Sequence, residues 1–301
     1  MAEMKRSLRS AKERAAFVKE CEERFEKRLD EVAAELVSSG TRIIALSGPT
    51  CSGKTTTANK LTAELEACGK DVHLVSIDNF FLERDVLDEA AERSGKPLDY
   101  DSVKAIDLAL LVERAASIIK GDPTELPVFD FKTGKRTHYE TVDPDDASVF
   151  IFEGIQAIYP EVTALFGKDY RSVYISVEDD IEMGDVYFGK RDVRLMRRLL
   201  RDYLFRGAHP DFTFHLWRSV AANEDRAILP YVDTVDLRIN STMPYEVCVM
   251  KKLLPPVLDL VSDTAMHYPK ALEIGEKLKK LDVIDPALVP EASVLREFIG
   301  K

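Results

Sequence analysis

Apolar residues recur every three or four positions at Phe17, Cys21, Phe25, Leu29, Val32 and Leu36, in a stretch otherwise rich in Lys, Arg, Glu and Ala. The spacing predicts one long amphipathic helix from residue 1 to about residue 39, broken by Ser38, Ser39 and Gly40. Two roles are open to it: covering one face of the main body, or serving as a dimerisation arm or connector. From Thr41 the pattern changes. Short apolar runs at Ile43 to Leu46, Val72 to Ile77, Val149 to Phe152, Val173 to Val177 and Val235 to Ile239 alternate with helical periodicity.

That alternation predicts parallel strands joined by crossover helices. Right-handed crossovers bring the strand ends at Gly48, Asp78 and Glu153 to one carboxyl edge, where open α/β sheets bind ligands. Pro127 to Phe131 and Thr137 to Val142 flank the turn Thr133-Gly134-Lys135 and predict a β-hairpin projecting from the sheet. The last stretch is mainly helical, punctuated by Pro255-Pro256, Pro269 and Pro286.

Composition narrows the function classes. The chain has 301 residues, 45% hydrophobic, with a formal net charge of −11. Such an acidic balance argues against broad nucleic-acid binding, and makes any basic cluster informative. Four scattered cysteines without C-x-x-C spacing and five histidines without an H-x-x-x-H pair suggest neither disulfides nor zinc. With a charged N-terminus and no apolar run of about 18 residues, a soluble cytoplasmic protein is expected, without membrane or nucleic-acid partners.

The stretch Gly48-Pro49-Thr50-Cys51-Ser52-Gly53-Lys54-Thr55 follows the first strand as a complete G-x-x-x-x-G-K-[ST] phosphate loop. Its glycines let backbone N–H groups converge on phosphates, Lys54 offers a mobile charge to the β and γ groups, and the Thr55 hydroxyl suits magnesium. Gly48, Thr50, Ser52, Gly53, Lys54, Thr55 and Thr56 are therefore the expected nucleotide-binding set. A helix starting near Lys54 adds its positive dipole end. Asp78, at a strand end, is placed to accept the proton of an attacking hydroxyl or to lie beside the metal; alternatively it is a turn or N-cap acid. Glu153 closes a buried strand in the layout of a magnesium-side carboxylate. The segment Lys190 to Arg201 sets Lys190, Arg191, Arg194, Arg197, Arg198 and Arg201 within roughly a 120° arc of a helix, with Met196, Leu199, Leu200 and Tyr203 on another face. Such a stripe reads as a lid clamping phosphates, or else as a solvated face paired with acids such as Asp185 and Asp192.

Together the motifs resemble the uridine kinase and phosphoribulokinase family of P-loop kinases. The resemblance runs through GPTCSGKTT (48 to 56), SIDNFF (76 to 81), PLDYDSVKAID (97 to 107), PVFDF (127 to 131), FEGIQAIY (152 to 159), RLMRRLLRDYLFRG (194 to 207) and INSTMPYE (239 to 246). It implies an α/β P-loop kinase fold, a parallel β-sheet flanked by helices, with a helical lid, a β-hairpin insertion and helical extensions at both ends. The implied boundaries are an N-terminal extension at 1–40, a kinase domain at 41–262 with the lid at about 185–215, and a C-terminal extension at 263–301. By the same resemblance Asp78 is the general base, Thr55 and Glu153 lie near magnesium, and Arg201 and Arg206 contact ATP phosphates. Asp101 falls where uridine kinases hold the ribose hydroxyls, and Arg198 matches an arginine near the acceptor. Family members often form homo-oligomers, so self-association is expected.

Two departures bear on the acceptor. Where pyrimidine nucleoside kinases supply a Tyr and, five residues later, a His to read the base, this chain has Phe129 and Gly134. The usual R-G-R of the lid is interrupted, since Arg206-Gly207 runs into Ala208-His209-Pro210. Lys132, Lys135 and Arg136 on the hairpin either meet an anionic acceptor or are solvated turn residues. The leading expectation is an ATP- and magnesium-dependent kinase of a nucleoside primary hydroxyl with non-standard base recognition. The alternatives are a kinase of another small alcohol, such as a sugar phosphate or pantothenate-like metabolite, and a nucleotide-dependent switch. Against a GTPase switch, no N-K-x-D sequence occurs: Asn59-Lys60 continues as Leu61-Thr62.

Overall fold

The computed structural model describes residues 8–95 and 100–300, the side chain of Ser94 excepted. Nine strands occur among them: β1 (Ile43–Ser47), β2 (Asp71–Ser76), β3 (Thr124–Asp130), β4 (Lys135–Val142), β5 (Ser148–Glu153), β6 (Tyr170–Ser176), β7 (Ile181–Met183), β8 (Val186–Phe188) and β9 (Leu237–Asn240). Five of them form a parallel sheet in the order β2-β5-β1-β6-β9. Strands β3 and β4 pair as the expected hairpin, and β7 with β8 as a second, smaller one.

The unbroken apolar runs in β1 and β5 are explained by cover on both faces. Ile44 and Leu46 of β1 point into one core with Ile151, Val173 and Ile175, while Ile43 and Ala45 point into another with Phe150, Phe152, Phe80 and Leu111. The first core includes the N-terminal helix Ala11–Ser39. A capping box of Ser10 and Glu13 starts that helix, and Gly40, with φ 68°, ends it. All six stripe residues, Phe17 to Leu36, are buried inside the chain; at about 1.5–3 kcal/mol for each large apolar side chain, this cover is a substantial share of the core. The helix therefore packs on its own sheet and does not present the stripe as a free arm. Residues 1–7, which the periodicity also assigned to it, lie outside the described residues.

Register aligns the functional edge. Leu46 pairs with Glu153, and Glu153 with Ser76, so the carboxyl ends of β1, β5 and β2 stand side by side. The second strand ends one residue earlier than the apolar run suggested, and Asp78 lies in the 3-10 turn Ile77–Phe80 that follows it.

Candidate active site

The phosphate loop links β1 to the helix Lys54–Ala67. Gly48 is required by close approach: a Cβ there would stand 2.1 Å from the carbonyl oxygen of Ile175 on β6. Lys54 folds back over the loop and its Nζ donates to the Pro49 carbonyl at 3.3 Å. The buried hydroxyl of Ser52 has no partner among the described residues, and Thr55 is exposed at the helix start. Thr50 and Cys51 turn their carbonyls the other way, accepting from Arg194 and Arg197 at 3.3 Å each.

Beside the loop lie Asp78 and Glu153. Neither carboxylate receives a hydrogen bond from any described residue, and burial pushes both upward in pKa, against the opposing pull of Lys54. Glu153 reaches about 7, with Asp78 and Glu297 adding to the rise. Two poorly satisfied carboxylates facing a lysine are an arrangement that calls for a cation or a transferable proton.

Small-molecule sites are commonly clefts of about 300–1,000 Å³. One of about 680 Å³ opens from Asp78, with an apolar wall of Phe81, Leu82, Leu87, Phe129, Phe131 and Ile155 and a polar rim of Tyr100, Asp101, Arg84, Lys132, Gln156 and Arg206. The hairpin builds that wall. A bulge between Val128 and Phe129 shifts the register of β3, and the Phe129 N–H donates to Asn79 Oδ1 at 3.1 Å, tying the hairpin to the turn that carries Asp78. Phe81, Phe129 and Phe131 meet edge to face, with centroids 5.3–6.3 Å apart. At Gly134 the backbone has φ +70° and a Cβ would lie 2.6 Å from Arg84 Cβ. Arg84 thus fills the space a larger side chain at that turn would need.

Several expected site residues are placed otherwise. Arg136 does not line the cleft: it is paired with Asp107 at 2.7 Å and also donates to the Phe81 carbonyl. Arg198 is likewise outside it, held by Asp202 one helical turn on at 3.2 Å. Arg201 binds the same carboxylate at 2.8 Å, and Arg206, expected at the phosphates, meets it at 3.6 Å while staying largely exposed and reaching the cleft rim. Asp101 does line the cleft, and its backbone carbonyl accepts from Tyr159 Oη at 3.0 Å. Pro97, Leu98 and Asp99 of the same motif lie outside the described residues.

The arginine stripe itself needs correcting. In the helix Lys190–Arg206, Arg194 and Arg197 are fully buried, paired with Glu224 and Glu246. They hold the loop from behind and do not form part of an open clamp. Asp185 and Asp192, the acids expected to neutralise the stripe, pair instead with Lys280 and Lys270. Tyr203, assigned to the apolar face, is exposed. Sequence reading missed Phe131, Gln156 and Glu297. Gln156 and Phe131 sat within quoted motifs but carry no pattern of their own, and Glu297 is 241 positions from the residue it touches.

Comparisons with known proteins show which family the chain is similar to. The model of the phosphoribulokinase / uridine kinase family matches residues 43–247. Uridine kinase of Staphylococcus aureus (strain JH9) is 32% identical over 182 residues, covering 60% of this chain and 77% of that protein. Uridine-cytidine kinase C of Dictyostelium discoideum is 30% identical over 169 residues, 56% of this chain, but the match spans only 31% of that longer protein. In fold alone, the chain is similar to D-glycerate 3-kinase from Cryptococcus neoformans, with a TM-score of 0.50 at 15% identity over 65% of this chain and 87% of that one. With the family match covering more than half of the sequence, and a phosphate loop whose Lys54 acts on the two half-buried acids Asp78 and Glu153, this chain belongs to the phosphoribulokinase and uridine kinase family of P-loop small-molecule kinases.

Proposed function

We propose that the chain transfers the γ-phosphoryl group of ATP, with magnesium, to the primary hydroxyl of a nucleoside. The observation that carries this reading is Asp78, a half-buried carboxylate without a hydrogen-bond donor of its own, which lines the aromatic cleft and feels the charge of Lys54 in the phosphate loop. Its raised pKa makes it a better proton acceptor, so it takes the hydroxyl proton as the alcohol oxygen attacks phosphorus and the bridging oxygen leaves with ADP. Lys54 leaves the Pro49 carbonyl to meet the phosphates, and the loop N–H groups hold them in line. Arg201, paired with Asp202 at 2.8 Å in the nucleotide-free chain, would turn from that carboxylate to balance charge on the transferred group.

The donor set suits magnesium, which takes hard oxygen ligands and commonly binds through one or two carboxylates and substrate phosphates rather than an all-protein cage. Thr55, Asp78 and Glu153 would hold it, and among the described residues no cluster of three or more acids, histidines or cysteines offers a closed cage. When bound, the ion neutralises the phosphates and aids departure of ADP.

The aromatic wall of the cleft supports a planar base held by stacking, without the two hydrogen bonds that Tyr and His would supply. Purified protein with ATP, magnesium and a nucleoside panel should yield nucleoside monophosphate and ADP; absence of turnover with every nucleoside would overturn the assignment. A second reading, a phosphate-bearing acceptor, is supported by Lys132, which lines the cleft and forms no ion pair with a described residue. In that case acceptor binding weakens steeply with salt. Family membership sets aside the nucleotide-switch alternative.

A further inference from the structure

The C-terminal segment ends on the phosphate loop. Glu297 Oε2 accepts from Thr56 Oγ1 at 2.9 Å and from the Thr56 N–H at 3.4 Å. Thr56 is the third residue of its helix, so its N–H is among the four that the helix itself leaves unsatisfied. Those N–H groups, with the helix dipole behind them, are what a phosphate loop offers to phosphate. A carboxylate belonging to the chain therefore occupies donors that an incoming nucleotide needs.

The segment carrying Glu297 is fixed while its carboxylate is not. Val294, Leu295 and Phe298 are fully buried. Val294 packs so closely on the loop that its Cγ1 lies 2.8 Å from where a Cβ on Gly53 would stand. The Phe298 ring lies 5.0 Å from the Arg197 guanidinium, and Arg296 donates to the carbonyls of Pro286, Val289, Pro290 and Gly300. Glu297, by contrast, is only partly buried, and Thr56 is the sole hydrogen-bond partner of its carboxylate among the described residues. It adds a third negative charge to the Asp78 and Glu153 side of the site.

We propose that Glu297 is an internal competitor for the phosphate loop: its carboxylate caps Thr56 in the nucleotide-free protein and is displaced, by rotation of the side chain alone, when a nucleotide phosphate takes the same donors. This rests on reading Gly48 to Thr56 as the nucleotide site. Nucleotide affinity is then the difference between two anions, and the C-terminal segment tunes the donor side of the reaction without touching the acceptor cleft.

The test is calorimetric titration of the full chain with ADP and magnesium, for the parent protein, Glu297→Gln and Glu297→Ala. A hydrogen bond to a charged group is worth enough that its removal as a competitor should tighten ADP binding about tenfold in Glu297→Ala, with Glu297→Gln between that and the parent. The KM for the acceptor should not move. Should Glu297→Ala fail to fold, the near-isosteric Glu297→Gln carries the test. Unchanged or weaker ADP binding in a folded variant, accompanied by a lower Tm, would mean that Glu297 is only a structural cap and would overturn the proposal. If ADP binds neither parent nor variant, the nucleotide site itself is misread and the proposal falls with it.

Discussion

The guanidinium of Arg197 closes on the carboxylate of Glu246 through two hydrogen bonds, Nε to Oε2 at 2.6 Å and Nη2 to Oε1 at 2.8 Å, with both side chains fully excluded from solvent. The same guanidinium donates to the carbonyls of Cys51 in the phosphate loop and Ser241 after β9. One buried pair thus joins the loop, the basic helix and the carboxyl edge of the sheet. Removing one partner strands a charge in the interior, which costs about 3–5 kcal/mol. Arg197→Met and Glu246→Gln are each expected to lower stability by that order in urea denaturation. A change below about 1 kcal/mol in both would show the pair to be dispensable.

Asp78→Asn keeps the shape of the side chain but removes its ability to take a proton. The expected loss in kcat is about a hundred- to ten-thousandfold, with affinity for the metal-free nucleotide little changed. Single-turnover kinetics with ATP would measure it, and near-parental turnover would exclude Asp78 as the base.

Glu153 makes stability depend on pH in a definite direction. Its folded pKa of about 7 lies above the ordinary 4.5 because burial penalises the charged form. Between those values the folded chain binds a proton that the unfolded chain has released, so stability falls as pH rises through that window. The contribution is at most about 3 kcal/mol for the metal-free protein. Glu153→Gln should therefore gain stability relative to the parent at pH 8 and lose most of that advantage at pH 4.5, as read by urea denaturation at the two pH values. An advantage independent of pH would contradict the assignment.

Phe131 is 57% exposed yet stands in the aromatic wall of the cleft. Its truncation in Phe131→Ala should cost little stability. If the acceptor stacks there, KM for the acceptor should rise about tenfold while kcat holds, the signature of lost ground-state binding. Steady-state kinetics with the acceptor varied decides it, and an unchanged KM would move the acceptor elsewhere in the cleft.

The legible parts of the site were those whose chemistry is local. The phosphate loop is a contiguous string in which each residue acts through its own backbone or a short side chain, and Asp78 and Glu153 announce themselves as acids at the ends of apolar runs. Arg194 and Arg197 were misjudged for the opposite reason. Helical spacing puts them on one face but does not say whether that face looks at solvent or at Glu224 and Glu246, which lie 30 and 49 positions away. Motif position points Arg198 toward the acceptor and hairpin charge leaves Arg136 either there or in solvent, whereas Asp202 and Asp107 hold them by direct ion pairs.

Periodicity and motif, by themselves, determined that this chain has a parallel sheet with a phosphate loop and two acids on its carboxyl edge, because strand alternation, helix stripes and loop chemistry are encoded over a few neighbouring residues. The tertiary structure alone decided which arginines are internal struts, that Arg84 fills the space beside Gly134, and that Glu297 reaches Thr56. Each of these depends on contacts between distant segments, where burial and the pairing of opposite charges, rather than sequence spacing, set the outcome.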